Sequence, residues 1–142
     1  MPIDLTGTWK LVAWRRVADD GTVTHPFGQN AHGLLIYAAD GRMAVQMTAP
    51  NRRTLPTDDP LGGDPQLRAD AYSTCLAYFG SYEVEDDAVV HRIDMSLFPN
   101  WSGEEQRRPF TYENGELILR TPPTVGPNAT VVNEIVWIRE DG

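Results

Sequence analysis

Apolar and polar residues alternate along most of this chain, which is the signature of half-buried β-strands. Segments rich in β-branched and aromatic residues fall at 8–18 (TWKLVAWRRVA), 33–39 (GLLIYAA), 42–49 (RMAVQMTA) and 79–85 (FGSYEVE). They continue at 88–98 (AVVHRIDMSLF), 105–113 (EQRRPFTYE), 116–122 (ELILRTP) and 130–140 (TVVNEIVWIRE). One helix is predicted over 64–78, with Asp64 as its N-cap and Pro65 at its first position. Its stripe of Leu67, Ala71, Cys75 and Tyr78 would lie against the rest of the fold, as a lid or a wall.

Connection lengths give the eight predicted strands an order. Tight turns (ADG, EDD, ENG) alternate with long connections at 19–32, 50–78, 99–104 and 123–129. In an antiparallel meander every second connection lies at the same end, so tight turns seal one end and long loops ring the other. The expectation is an all-β, eight-stranded, antiparallel up-and-down barrel with one helix in its fourth-strand approach, wide enough for one small ligand. At 142 residues the chain suffices for one such domain, 1–142.

Hairpin register then predicts which side chains share the lumen. A two-residue Asn114-Gly115 turn sets Tyr112 opposite Leu117 and Phe110 opposite Leu119, which draws Arg108 and Gln106 inward. An Asp86-Asp87 turn sets Tyr82 opposite His91, so that His91, Ile93, Met95 and Leu97 point inward. An Asp40-Gly41 turn pairs Ala38 with Met43 and Ile36 with Val45, leaving Tyr37, Arg42 and Gln46 outside or under the helix.

The inferred lumen is apolar with a few placed polar groups, as small-molecule sites are. Arg108 is the leading ligand contact, because a guanidinium facing an apolar cavity needs a partner. A ligand carboxylate, enolate or carbonyl would serve, or the side chain turns to the rim and meets Glu104, Glu105 or solvent. His91 and Tyr82, with Arg108, form a candidate catalytic set: a proton-transfer pair plus an oxyanion partner. The competing reading of the pair is a buried histidine satisfied by a tyrosine. Asn100 and Trp101 sit at the mouth and would stack on and hydrogen-bond to a ligand. Met47 and Met95 are soft fillers of an irregular site, and Tyr78, Phe110, Tyr112 and Leu119 complete the candidate lining.

The net charge of −8 argues against nucleic acid and anionic membranes as partners. One cysteine, Cys75, and no apparent leader suggest a reducing compartment, the cytoplasm. The three histidines lie without ligand spacing, so no metal is expected, and no nucleotide or other cofactor motif appears. Oligomeric state is not legible.

The motifs "GTW" at 7–9 and "VWIRE" at 136–140, with "HPFG", "GLLIYAADGRMAVQM", "YFGSYEVEDDAVVHRIDMSLFPNWSGEEQRR" and "LILRTPP", resemble the bacterial and fungal lipocalin-like domain family. That resemblance covers most of the chain and implies a calycin-type barrel. It also implies a structural floor in which Trp9 plugs the closed end beneath Arg139, with Trp137 beside them. Lipocalins proper carry small hydrophobic molecules. Some lipocalin-like proteins act as isomerases or cyclases in natural-product pathways. Two functions therefore follow as expectations: binding of a small hydrophobic molecule, or cofactor-free isomerase or cyclase chemistry on a polyketide or terpenoid in the same cavity.

Overall fold

The computed structural model describes residues 3–127 and 129–140; Asn128, in the last long connection, lies outside them. Eight long strands close on themselves: β1 (Gly7–Ala18), β3 (His32–Tyr37), β4 (Arg42–Thr48), β5 (Cys75–Val84), β6 (Ala88–Ser96), β7 (Glu105–Glu113), β8 (Glu116–Arg120) and β10 (Thr130–Arg139). Each pairs antiparallel with its neighbour, and β1 against β10 closes the barrel. Two short strands, β2 (Val23–Thr24) and β9 (Thr124–Val125), extend the pairing of β1 and β10 into the mouth loops. The tight turns gather at one end, and the connections 19–31, 49–74, 97–104 and 121–129 at the other.

The closed end is built by the first and last strands. Trp9 is fully buried and its indole N–H donates to the Leu5 carbonyl at 2.8 Å. The Arg139 guanidinium lies 4.3 Å from the Trp9 ring centre, a cation–π contact worth about 0.5–2 kcal/mol. The same guanidinium donates to the carbonyls of Thr6 and Asp4. Gly7 has φ +134°, and a Cβ there would stand 3.0 Å from an Arg139 nitrogen, so the "GTW" glycine makes room for the lid over the tryptophan.

Two hairpins keep the predicted register. Asn114 and Gly115 both have positive φ, and Tyr112 opposes Leu117 while Phe110 opposes Leu119. Tyr82 opposes His91, and Val84 opposes Val89. The β3–β4 hairpin differs by one residue. Its loop holds three residues, 39–41, with Gly41 at φ +90° and the Ala38 N–H bonded to the Arg42 carbonyl at 2.8 Å. Tyr37 therefore opposes Met43 and Leu35 opposes Val45. Because side chains alternate, this single extra loop residue turns β3 over. Tyr37, expected outside, is fully buried, and Ile36, expected inside, is exposed.

A bulge between Gly80 and Phe79 on one strand and Ile93 and Met95 on the other reverses a second prediction. Past Asp94 the alternation flips, so Ile93 stays in the core while Met95 and Leu97 face outward. Gly80 permits the kink, since a Cβ there would lie 1.9 Å from the Arg92 carbonyl oxygen.

The helix α1 (Pro65–Ser73) begins as predicted, with the Asp64 carboxylate accepting from the Gln66 N–H at 2.8 Å. It ends five residues earlier than expected, because Leu76 and Tyr78 resume a strand alternation in β5. Cys75 and Tyr78 are therefore strand residues, and no helix residue is fully buried. Among the described residues no helix is long and apolar enough to cross a membrane.

Candidate functional site

A cavity of about 580 Å³ occupies the upper barrel, within the range of small-molecule sites. Leu35, Val45, Met47, Leu76, Leu119 and Ile135 supply its apolar wall. Trp101, on the short helical turn Pro99–Trp101, lines its mouth and packs edge-on against Tyr78 with ring centres 6.0 Å apart. Polar groups cluster on one side: Tyr78 from β5, His91 from β6, and Gln106 and Arg108 from β7.

His91 is held between two tyrosines. Its Nε2 lies 2.6 Å from the Tyr37 hydroxyl and its Nδ1 lies 2.8 Å from the Tyr78 hydroxyl. Burial above all, and then the Arg108 charge, push His91 down to about 3, so the ring is neutral at neutral pH. A neutral imidazole offers one donor and one acceptor. Tyr37 is fully buried, and His91 is the only hydrogen-bond partner of its hydroxyl among the described residues. Its O–H therefore donates to Nε2, since the opposite arrangement would leave that hydrogen without an acceptor. Nδ1 then carries the ring proton and donates to the Tyr78 oxygen, which leaves the Tyr78 hydrogen free to turn toward the cavity. Burial raises the Tyr37 hydroxyl well above its ordinary value and also raises Tyr78, while the Arg108 charge opposes both shifts. Both tyrosines are neutral donors at physiological pH.

Arg108 differs from the arginines on the outer wall. Arg15 and Arg120 share Glu134, Arg92 pairs with Glu83 and Glu105, and Arg107 pairs with Glu85 and Asp87. Arg108 is only 9% exposed, and among the described residues it pairs with no carboxylate. Its guanidinium donates to the Gln106 amide oxygen, a neutral acceptor. The expected rim partner Glu105 is taken by Arg92 at 2.9 Å. The Tyr78 hydroxyl is its other neutral partner. A buried cation with only neutral partners is incompletely compensated, and an anionic or strongly polarised oxygen in the cavity would complete it.

Of the residues expected at the site, the structure gathers Met47, Tyr78, His91, Trp101, Gln106, Arg108 and Leu119 around this cavity. Ile93 and Phe110 belong to the packed core below it. Tyr82 opposes His91 along the ladder, but its hydroxyl donates to the Ala38 carbonyl at 2.9 Å near the floor. Tyr37, from β3, takes the place beside His91 expected for Tyr82. Tyr112 opposes Leu117 on the inner face but lies at the floor below the cavity, 43% exposed and edge-on to Trp9 at 6.1 Å. Met95 and Leu97 face solvent because of the bulge, and Asn100 is exposed. Trp14 and Asn133, which register reasoning omitted, line the mouth together with Thr121. Trp137 also lines the cavity, beyond its expected place in the floor, and it is 1% exposed.

No curated protein matches the chain. The pattern of the lipocalin-like domain family matches residues 6–139, which takes in the whole barrel from the "GTW" floor to the arginine that covers it. A lipocalin-like barrel with a lumen of this kind suits the binding of a small molecule, and this chain belongs to the lipocalin-like domain family.

Proposed function

We propose that the barrel binds a small, largely apolar molecule that carries a carboxylate, enolate or polarised carbonyl, with that group at Arg108 and Tyr78. The observation that carries this reading is the buried Arg108 guanidinium, which lines a cavity of about 580 Å³ and has only neutral partners, the Gln106 amide and the Tyr78 hydroxyl, among the described residues. The apolar wall supplies affinity, and the donors supply orientation.

Two dyes that share an aromatic skeleton test it: anilinonaphthalene sulfonate, and N-phenylnaphthylamine, which lacks the sulfonate. Arg108→Ala should weaken the sulfonate dye about tenfold or more, the worth of a charge-assisted hydrogen bond. The uncharged dye should change by no more than about twofold. Equal losses for both dyes would show that Arg108 acts on packing and not on the acidic group.

A second reading rests on the same donor pair. Arg108 and Tyr78 would stabilise an enolate developing on a bound substrate, as a cofactor-free isomerase or cyclase of polyketide or terpenoid precursors requires. His91 at about 3 is a weak proton acceptor near neutral pH, which favours binding over turnover with His91 as base. A stoichiometric small molecule released by denaturing freshly purified protein would support carriage. An empty barrel that converts such a precursor would support catalysis.

A further inference from the structure

The cavity's hydrogen-bonding groups are unevenly divided between donors and acceptors. At the mouth, the Asn133 amide oxygen accepts from the Trp14 indole at 2.9 Å and from Arg16 at 3.1 Å. The Thr121 hydroxyl oxygen accepts from the Asn133 backbone N–H at 3.0 Å, the Gln106 oxygen accepts from Arg108, and Glu105 is held by Arg92. These acceptors are engaged by the protein itself. The donors are not: Tyr78 has a hydrogen to spare, and Arg108 has no anionic partner among the described residues.

Trp137 adds a third donor. It lines the cavity, is 1% exposed, and its Nε1 is the one buried side-chain nitrogen or oxygen without a hydrogen-bond partner among the described residues. An unpaired buried N–H is unfavourable and rare in folded proteins. Other donors show that it is not a general property of indoles in this barrel, since Trp9 and Trp14 both reach protein oxygens. Its depth is set by register. Trp137 opposes Leu117, and Leu117 opposes Tyr112, two inward positions nearer the floor than Arg108 on the same ladder.

We infer that Trp137 is a ligand-binding residue: its Nε1–H donates to an acceptor oxygen at the inner end of the bound molecule. This inference rests on the proposed binding role and narrows the ligand class. The occupant is an apolar molecule with two separated acceptors, an acidic or carbonyl oxygen at Arg108 and Tyr78 and a second carbonyl or ether oxygen deep in the lumen. A plain hydrocarbon acid leaves the indole N–H unpaired and is disfavoured.

The test compares decanoic acid with oxodecanoic acids that carry a ketone at successive carbons, each read by displacement of anilinonaphthalene sulfonate. In the unaltered protein one oxo isomer should bind about tenfold more tightly than decanoic acid. The same isomer should shift the Trp137 indole N–H signal in a nitrogen–proton correlation spectrum, where decanoic acid leaves it in place. Trp137→Phe identifies that signal by its loss, and should bind decanoic and oxodecanoic acids alike. No preference for any isomer, with an unmoved indole signal, would overturn the inference and leave the N–H to a water molecule. A preference that survives Trp137→Phe would overturn it as well. If no acid displaces the dye, the binding role falls first and this inference with it. The measurements on the unaltered protein decide the matter even if the variant folds poorly.

Discussion

Acid should weaken this fold through one buried imidazole. His91 stands between two tyrosines with its pKa depressed from 6.5 to about 3, because burial and the Arg108 charge both oppose protonation. In the unfolded chain it takes up a proton near its ordinary value. Between the two values the unfolded state binds more protons, so stability is full above about pH 6.5 and is lost as pH falls toward about 3. The gap of about 3.5 units, at about 1.4 kcal/mol each, amounts to roughly 5 kcal/mol once both states are protonated. By about pH 4.5 the loss is already about 3 kcal/mol, a large share of the 5–15 kcal/mol that typically holds a domain together. Urea unfolding followed by tryptophan fluorescence, from about pH 7 to about pH 4.5, measures it directly. His91→Gln supplies the control, because glutamine keeps one donor and one acceptor but does not titrate. The carboxylates of Asp4 and Asp20, lowered chiefly by backbone hydrogen bonds, remain in both proteins and cancel in the difference. The variant should lose about one proton's worth of pH dependence across this window. Parallel loss in both proteins, or a His91 resonance that titrates near 6.5, would refute the reasoning.

Two further outcomes follow from the same wall of the barrel. Gly80→Ala would drive a methyl group against the Arg92 carbonyl, 1.9 Å from its ideal position, and should destabilise the fold by about 1–3 kcal/mol in chemical denaturation. An unchanged midpoint would show that the β5–β6 bulge relaxes freely. Tyr37→Phe removes the donor to His91 Nε2 and leaves a buried acceptor unpaired, at about 1–3 kcal/mol, without touching the cavity lining. Stability equal to that of the unaltered protein would show that another donor reaches the ring.

The architecture was legible because loop length and alternation agree along the chain. The site was legible where hairpins were of the two-residue kind: the Asn114-Gly115 and Asp86-Asp87 turns place His91, Gln106 and Arg108 on the correct face. It was not legible where one residue changes the count. Ala39-Asp40-Gly41 forms a three-residue loop with glycine in the left-handed region, an equally ordinary use of Asp-Gly, and the choice decides whether Tyr37 or Ile36 faces the core. The bulge at Asp94 depends on a tertiary approach between Gly80 and Arg92, distant enough in sequence that local pattern carries no trace of it. Tyr78 was reachable, but by a helical stripe that the strand overrode. Trp137 was visible only as part of the floor, because its missing partner is a property of the packed interior.

The first and last described segments meet under the sealed floor, where Arg139 reaches the Asp4 and Thr6 carbonyls and the Glu140 N–H bonds to the Thr8 carbonyl at 2.9 Å. The cavity mouth faces the opposite way. A tether or fused partner joined through either of these segments therefore departs from the blind side, away from the entry. A short linker between the ends would let the chain be reopened in a mouth loop instead, converting binding there into a change in distance between the new termini. That geometry makes the barrel a natural frame for a sensor whose reporter is attached where the ligand enters.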